Sequence, residues 1–208
     1  MVIINKLKGF NYEKVLEYFS YSIIIFLITG PAIPDIIATT ISIFFIVKIF
    51  KEKIFNENFY LFLICFIFLL LPNLFSKYFP LAFIEQLINI RYFIFALCLA
   101  SFINLRLEMI IKIMLLATLI ISFDLIFQYF FKINIIGIPI DTEHNGRASS
   151  FFGDELIAGT YILKFSFPVI GYYIFKKKFL MAYFLILTYS VAIIFSGERM
   201  SFLLFGLG

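Results

Sequence analysis

The sequence predicts an all-α protein: a polytopic helix bundle in a membrane, with seven complete spans and the start of an eighth. Three observations predict it. Hydrophobic residues make up 63% of the 208 residues and charged residues 14%, with a mean hydropathy of +1.05; soluble chains carry about 45–50% and about 25%. The apolar residues come in blocks that match the roughly 20 residues needed to cross about 30 Å of hydrocarbon, and residues 58–76 and 179–197 contain no charge at all. Runs such as 61–71 are apolar on every face. Only a helix satisfies the backbone of such a segment within lipid, whereas a membrane barrel strand would alternate apolar and polar residues.

The elements follow in order. Lys6, Lys8 and Lys14 flank a first helix over 15–29, the arrangement of an uncleaved signal-anchor, since no small-residue cleavage site follows. Gly30-Pro31-Ala32-Ile33-Pro34-Asp35 turns the chain, because proline and glycine do not continue a helix. A second helix spans 36–50, with Asp35 near its positive end. Lys48, Lys51 and Lys53 mark a loop, and a third helix covers 59–75. A polar stretch with Pro72, Lys77, Pro80 and Glu85 precedes a fourth over 87–103. The fifth covers 109–130, the sixth 154–175 and the seventh 179–195. Ser196-Gly197-Glu198-Arg199 then opens the eighth. The whole chain, 1–208, reads as one transmembrane helical domain, with 131–153 as its extracytoplasmic loop.

Basic residues in short loops set orientation. With the N-terminus inside, the inner segments hold Lys6, Lys8, Lys14, Lys48, Lys51, Lys53, Arg106, Lys112, Lys176, Lys177 and Lys178; the outer ones hold only Lys77, Lys132, Arg147 and Arg199. The N-terminus is therefore expected in the cytoplasm. These cations punctuate loops rather than cluster on one face, which excludes a nucleic-acid surface. Cys65 and Cys98 fall inside spans and read as small packing residues. His144 is the only histidine, with no second ligand at metal spacing, so neither a metal nor a cofactor is expected.

Ionisable residues inside spans are costly and therefore candidates for function. Arg91 lies about 6 Å and Asp124 about 9 Å from the outer ends of their helices, at 1.5 Å per residue. Similar depths allow an Arg91–Asp124 pair, with Gln128 one turn above Asp124. Two readings stand: an anion-binding outer pocket, or a structural ion pair between the fourth and fifth helices. Lys164, deeper in the sixth helix, either lines a cavity or snorkels. Asp154 and Glu155 sit in the expected first turn of that helix, where carboxylates suit the dipole. Arg147 and Arg199 join Arg91 as an outer set of guanidinium groups able to bind phosphate bidentately.

Several segments together resemble the bacterial O-antigen ligase and polymerase family. They are the turn at 30–35, Ile90-Arg91-Tyr92-Phe93, Phe123-Asp124-Leu125-Ile126-Phe127-Gln128 followed by Gly137, the stretch from Arg147 through Phe151-Phe152-Gly153-Asp154-Glu155 to Tyr161, and Ser196-Gly197-Glu198-Arg199-Met200-Ser201. The resemblance implies a glycan transferase of lipopolysaccharide and related envelope polysaccharides, in the bacterial inner membrane. Its partners would be a polyprenyl-diphosphate-linked glycan, a glycan or lipid acceptor, and membrane lipids. It also implies that Arg91, Arg147, Arg199, Asp124, Gln128, Asp154, Glu155 and Lys164 face that substrate. The family's catalytic histidine belongs to a large loop beyond residue 208, so His144 does not inherit that role. The chain corresponds to the first half or so of such a protein and is expected to be a truncated product, inactive by itself. The alternatives are a transporter or permease, suggested by Asp124 and Lys164, and a non-catalytic membrane remnant.

Overall fold

The computed structural model describes residues 12–30, 32–52, 57–101, 106–140, 146–153 and 155–208. The regular structure among them is helical; no strand forms, and Ile133 and Pro139 make an isolated antiparallel bridge. Among the described residues, three stretches are long and apolar enough to cross a membrane: Phe79–Ala100, Leu107–Phe131 and Phe179–Ser196. The contacts divide the chain into two compact units, residues 1–23 with 31–105, and residues 24–30 with 106–208.

In the first unit, α2 (Ala32–Glu52) and α3 (Glu57–Leu70) both pack on α5 (Ile90–Ser101). Buried Ile37, Ala38, Ile41 and Phe45 fall on one face of α2, at the i, i+4, i+8 spacing that aligns side chains on a helix. α5 contributes buried Leu97 and Cys98. Phe66 meets Phe93 edge to face with ring centroids 5.2 Å apart. The expected helix over 87–103 begins instead at Ile90, and residues 79–88 form a separate α4 (Phe79–Ile88) broken from α5 at Asn89. Pro80 does not prevent α4, because it lies in the first turn, where its missing N–H has no intrahelical partner to lose.

Most of α1 (Tyr12–Phe26) belongs to the first unit and its end to the second. In the second unit α6 (Leu107–Phe131), α7 (Ala158–Phe175) and α8 (Phe179–Ser196) pack on one another, and α9 (Arg199–Leu207) contacts α7 and α8. Ile121, Leu125, Ile162, Val169, Leu185, Tyr189 and Ile193 form their core. Buried Ala117, Ala158, Ala182 and Ala192 are the small residues that let helix backbones approach closely. Two buried hydroxyl groups are matched: Tyr189 Oη and Thr118 Oγ1 lie 2.7 Å apart, and Tyr161 Oη donates to the Ile24 carbonyl at 2.6 Å. Outward faces are apolar, with Phe175, Leu180 and Leu187 all exposed.

Candidate polar sites

Three polar centres sit at helix ends. The first lies in the first unit. Arg91 Nη2 donates to Asp35 Oδ2 at 2.7 Å, and Tyr92 Oη donates to Asp35 Oδ1. Ser42 Oγ donates to the Arg91 carbonyl at 2.7 Å. Asp35 and Arg91 both stand in the first turns of their helices, so the packing of α2 on α5 brings them together. The carboxylate found beside Arg91 is Asp35, where depth in the sequence also allows Asp124. Each of those residues has its partners in its own unit, and Arg91 takes the carboxylate that is nearest along α2. The buried Arg91 Nε has no hydrogen-bond partner among the described residues.

The second centre ties the segment after α6 back onto that helix. Asp124 and Gln128 are completely buried, one turn apart. Asp124 Oδ1 accepts the Ile135 N–H at 2.9 Å and Oδ2 accepts Ser150 Oγ at 2.6 Å. Gln128 Oε1 accepts the Ser150 N–H at 2.7 Å, and its Nε2 donates to the Ile138 carbonyl at 3.3 Å. Asn134 Nδ2 donates to the Ser150 carbonyl at 2.8 Å. Ser150 is thus held at its N–H, hydroxyl and carbonyl by three side chains, in a left-handed backbone conformation with φ 56°. Both Asp124 partners are neutral donors, so this carboxylate anchors a folded loop. The sequence expectation that Asp124 and Gln128 face a substrate meets a site filled by the protein's own backbone.

The third centre surrounds Glu198. Its Oε1 accepts the Gly159 N–H at 2.8 Å, and its Oε2 accepts the Thr160 N–H at 3.0 Å, Thr160 Oγ1 at 2.5 Å and Ser201 Oγ at 2.8 Å. A helix start leaves its first N–H groups without intrahelical partners, and α7 lacks a side-chain cap of its own. Glu198 supplies that cap from 39 residues away. Gly159 is required for this approach, because a Cβ there would lie 2.5 Å from Ser196 Oγ and 3.1 Å from Glu198 Cδ. Gly197 turns the chain with φ 73° and lies under Arg147, whose Cγ would stand 3.0 Å from a Cβ at 197. Arg147 Nη2 donates to the Leu156 carbonyl at 3.1 Å, and its buried Nε has no partner among the described residues.

The remaining expectations resolve differently. Asp154 and His144 lie outside the described residues. Glu155 is exposed and precedes α7, which starts at Ala158, so it is not in the first helical turn as expected; Glu198 occupies that role. Lys164 is exposed on α7. Arg199 is exposed at the first position of α9, beside Glu198 and Gly197. Sequence reasoning assigned no role to Glu198, Gly159, Ser150, Asn134 or Asp35 in these contacts. The signal for Glu198 is visible afterwards: an acidic residue beside glycine in a turn, and a Gly-Thr pair at a helix start that needs an acceptor.

Together these features define an all-helical protein with membrane-capable helices and buried polar clamps at helix ends. No protein-family model, curated protein or solved structure matches the chain.

Proposed function

We propose that this chain is the membrane-embedded portion of an envelope glycan transferase resembling the O-antigen ligases and polymerases. In this reading seven helices span the bacterial inner membrane from a cytoplasmic N-terminus, with residues 131–153 outside. The substrate is a polyprenyl-diphosphate-linked glycan, transferred to a glycan or lipid acceptor at the outer face. One observation carries the proposal. The segments that resemble the family are far apart in sequence, yet Arg147 packs on Gly197 of the Ser196–Arg199 turn, and Glu198 of that turn fixes the start of the helix that follows Arg147. Arg147 and Arg199 thereby flank one rigid turn.

The chemistry fits that placement. A diphosphate leaving group gains negative charge, and preorganised cations stabilise charge as it develops. Guanidinium groups match phosphate oxygens in two-point contacts, and the buried Arg147 Nε has no partner among the described residues. Arg91, whose buried Nε also has no partner among the described residues, is the candidate in the first unit. A permease is less well supported: Lys164 is exposed and the Asp124 oxygens are filled by loop donors. The test is complementation of a bacterial strain lacking its envelope polysaccharide, using the full reading frame. Arg147→Ala and Arg199→Ala should abolish the polysaccharide while membrane protein levels stay normal. Unchanged polysaccharide in both variants would overturn the proposal.

A further inference from the structure

The segment following α6 reads in sequence as the start of a polar external loop, yet its surface is apolar. Ile133, Ile135 and Ile136 are 48%, 64% and 66% exposed, continuing from exposed Phe130 and Phe131 at the end of α6. The backbone N–H groups beneath them are satisfied from within. The N–H of Asn134 goes to the Ile138 carbonyl, that of Ile135 to Asp124, those of Ile136 and Ile138 to Asn134 Oδ1, that of Gly137 to the Asn134 carbonyl, and that of Ile140 to the Lys132 carbonyl. Position 139 is proline and has no N–H to satisfy. From 134 to 140, every donor therefore has a protein partner.

That combination has a specific physical meaning. Three outward isoleucines on one short hairpin are costly to leave in water. Within hydrocarbon an unsatisfied backbone group costs several kcal/mol, and the N–H side of that requirement is met here by the protein. Buried Asp124 and Asn134 are the residues that perform the pairing. We infer that the 132–140 hairpin dips its isoleucine tip into the acyl chains of the adjacent leaflet as a membrane-interface anchor. Lys132, exposed and with Nζ 5.0 Å from the Tyr129 ring centroid, is placed to meet lipid phosphates. Such a lysine beside an aromatic ring is the composition of an interfacial belt. This inference rests on the membrane reading of α6, not on the glycan chemistry.

The chain contains no tryptophan, so one introduced tryptophan reports its own surroundings. The experiment uses the full chain in phosphatidylcholine–phosphatidylglycerol vesicles, with Ile136→Trp, Phe123→Trp on the exposed middle of α6, and Glu155→Trp. Brominated phosphatidylcholine should quench Ile136→Trp strongly, and acrylamide should quench it several-fold less than Glu155→Trp. Quenching of Ile136→Trp by acrylamide alone, with Phe123→Trp still quenched by lipid, would overturn the anchor and leave the span intact. Loss of lipid quenching at both would overturn the span as well. Protection of Ile136→Trp from both quenchers would put protein over the tip and also overturn the anchor. Ile135→Trp repeats the measurement one residue away, should the first variant misfold.

Discussion

The carboxylate of Glu198 holds the backbone N–H of Gly159 at 2.8 Å, joining the turn before α9 to the first turn of α7. Four donors converge on that one side chain, and Arg147 and Arg199 take their positions around it. Glu198→Ala should therefore loosen the turn as well as the helix start. Leaving a buried donor unsatisfied costs about 1–3 kcal/mol, and the lost stability should fall in that range. Hydrogen exchange should quicken at Gly159 and Thr160 while the amides around Tyr189 keep their protection. Uniform exchange across α7 and α8 would contradict a local cap.

Gly159→Ala and Gly171→Ala form a matched pair within α7. A Cβ at 159 collides with Ser196 Oγ, whereas one at 171 meets nothing within 4 Å. Overpacking costs about 1–3 kcal/mol, and replacing glycine within a helix gains about 0.5–1 kcal/mol. Thermal unfolding in detergent should show the first variant destabilised and the second unchanged or stabilised. Equal behaviour would mean that α7 and the Ser196–Glu198 turn do not meet closely.

Ser150 makes an opposite prediction about its own substitutions. Its φ of 56° favours glycine, while its hydroxyl satisfies Asp124. Ser150→Gly keeps the N–H and carbonyl bonds and relieves the backbone; Ser150→Ala loses the hydroxyl and keeps the strain, which runs to about 1–3 kcal/mol at such positions. Limited proteolysis of the 132–153 segment should be faster in Ser150→Ala than in Ser150→Gly. The reverse order would contradict the clamp.

The Arg91–Asp35 pair is about a third exposed on each side, at 29% and 32%. Ion pairs in such settings contribute about 0.2–1 kcal/mol. A double-mutant cycle of Arg91→Ala and Asp35→Ala should return a coupling in that range. A coupling near zero would contradict a stabilising role for the pair.

The helical class was legible because it rests on composition and block length, which lipid constrains directly. Boundaries were legible where glycine or lysine punctuates the chain, as at Gly197 and Lys176. They were missed at Asn89, because α4 and α5 are equally apolar and nothing in the pattern marks a break. Candidate residues were legible by type, since Arg91, Asp124, Gln128 and Arg147 are conspicuous in an apolar chain. Their partners were not. Depth arithmetic gave Arg91 and Asp124 the same level but could not show that Asp35 stands at the start of α2 beside Arg91, nor that Ser150 and Ile135 fold back onto Asp124. Long-range pairing depends on packing, and the chain order carries little trace of it. The 131–153 segment reads in sequence as an extracytoplasmic loop, and the exposure of its isoleucines is visible only in the fold.

If Arg147 at the Glu198 turn binds the diphosphate of a lipid carrier, undecaprenyl diphosphate should bind the chain reconstituted in nanodiscs. Binding should be saturable, the uncharged polyprenol should bind little, and Arg147→Ala should lose at least tenfold in affinity, about 1.4 kcal/mol, with Arg147→Lys recovering only part of it. Equal affinity in wild type and Arg147→Ala, or equal binding of the uncharged alcohol, would contradict that role for Arg147.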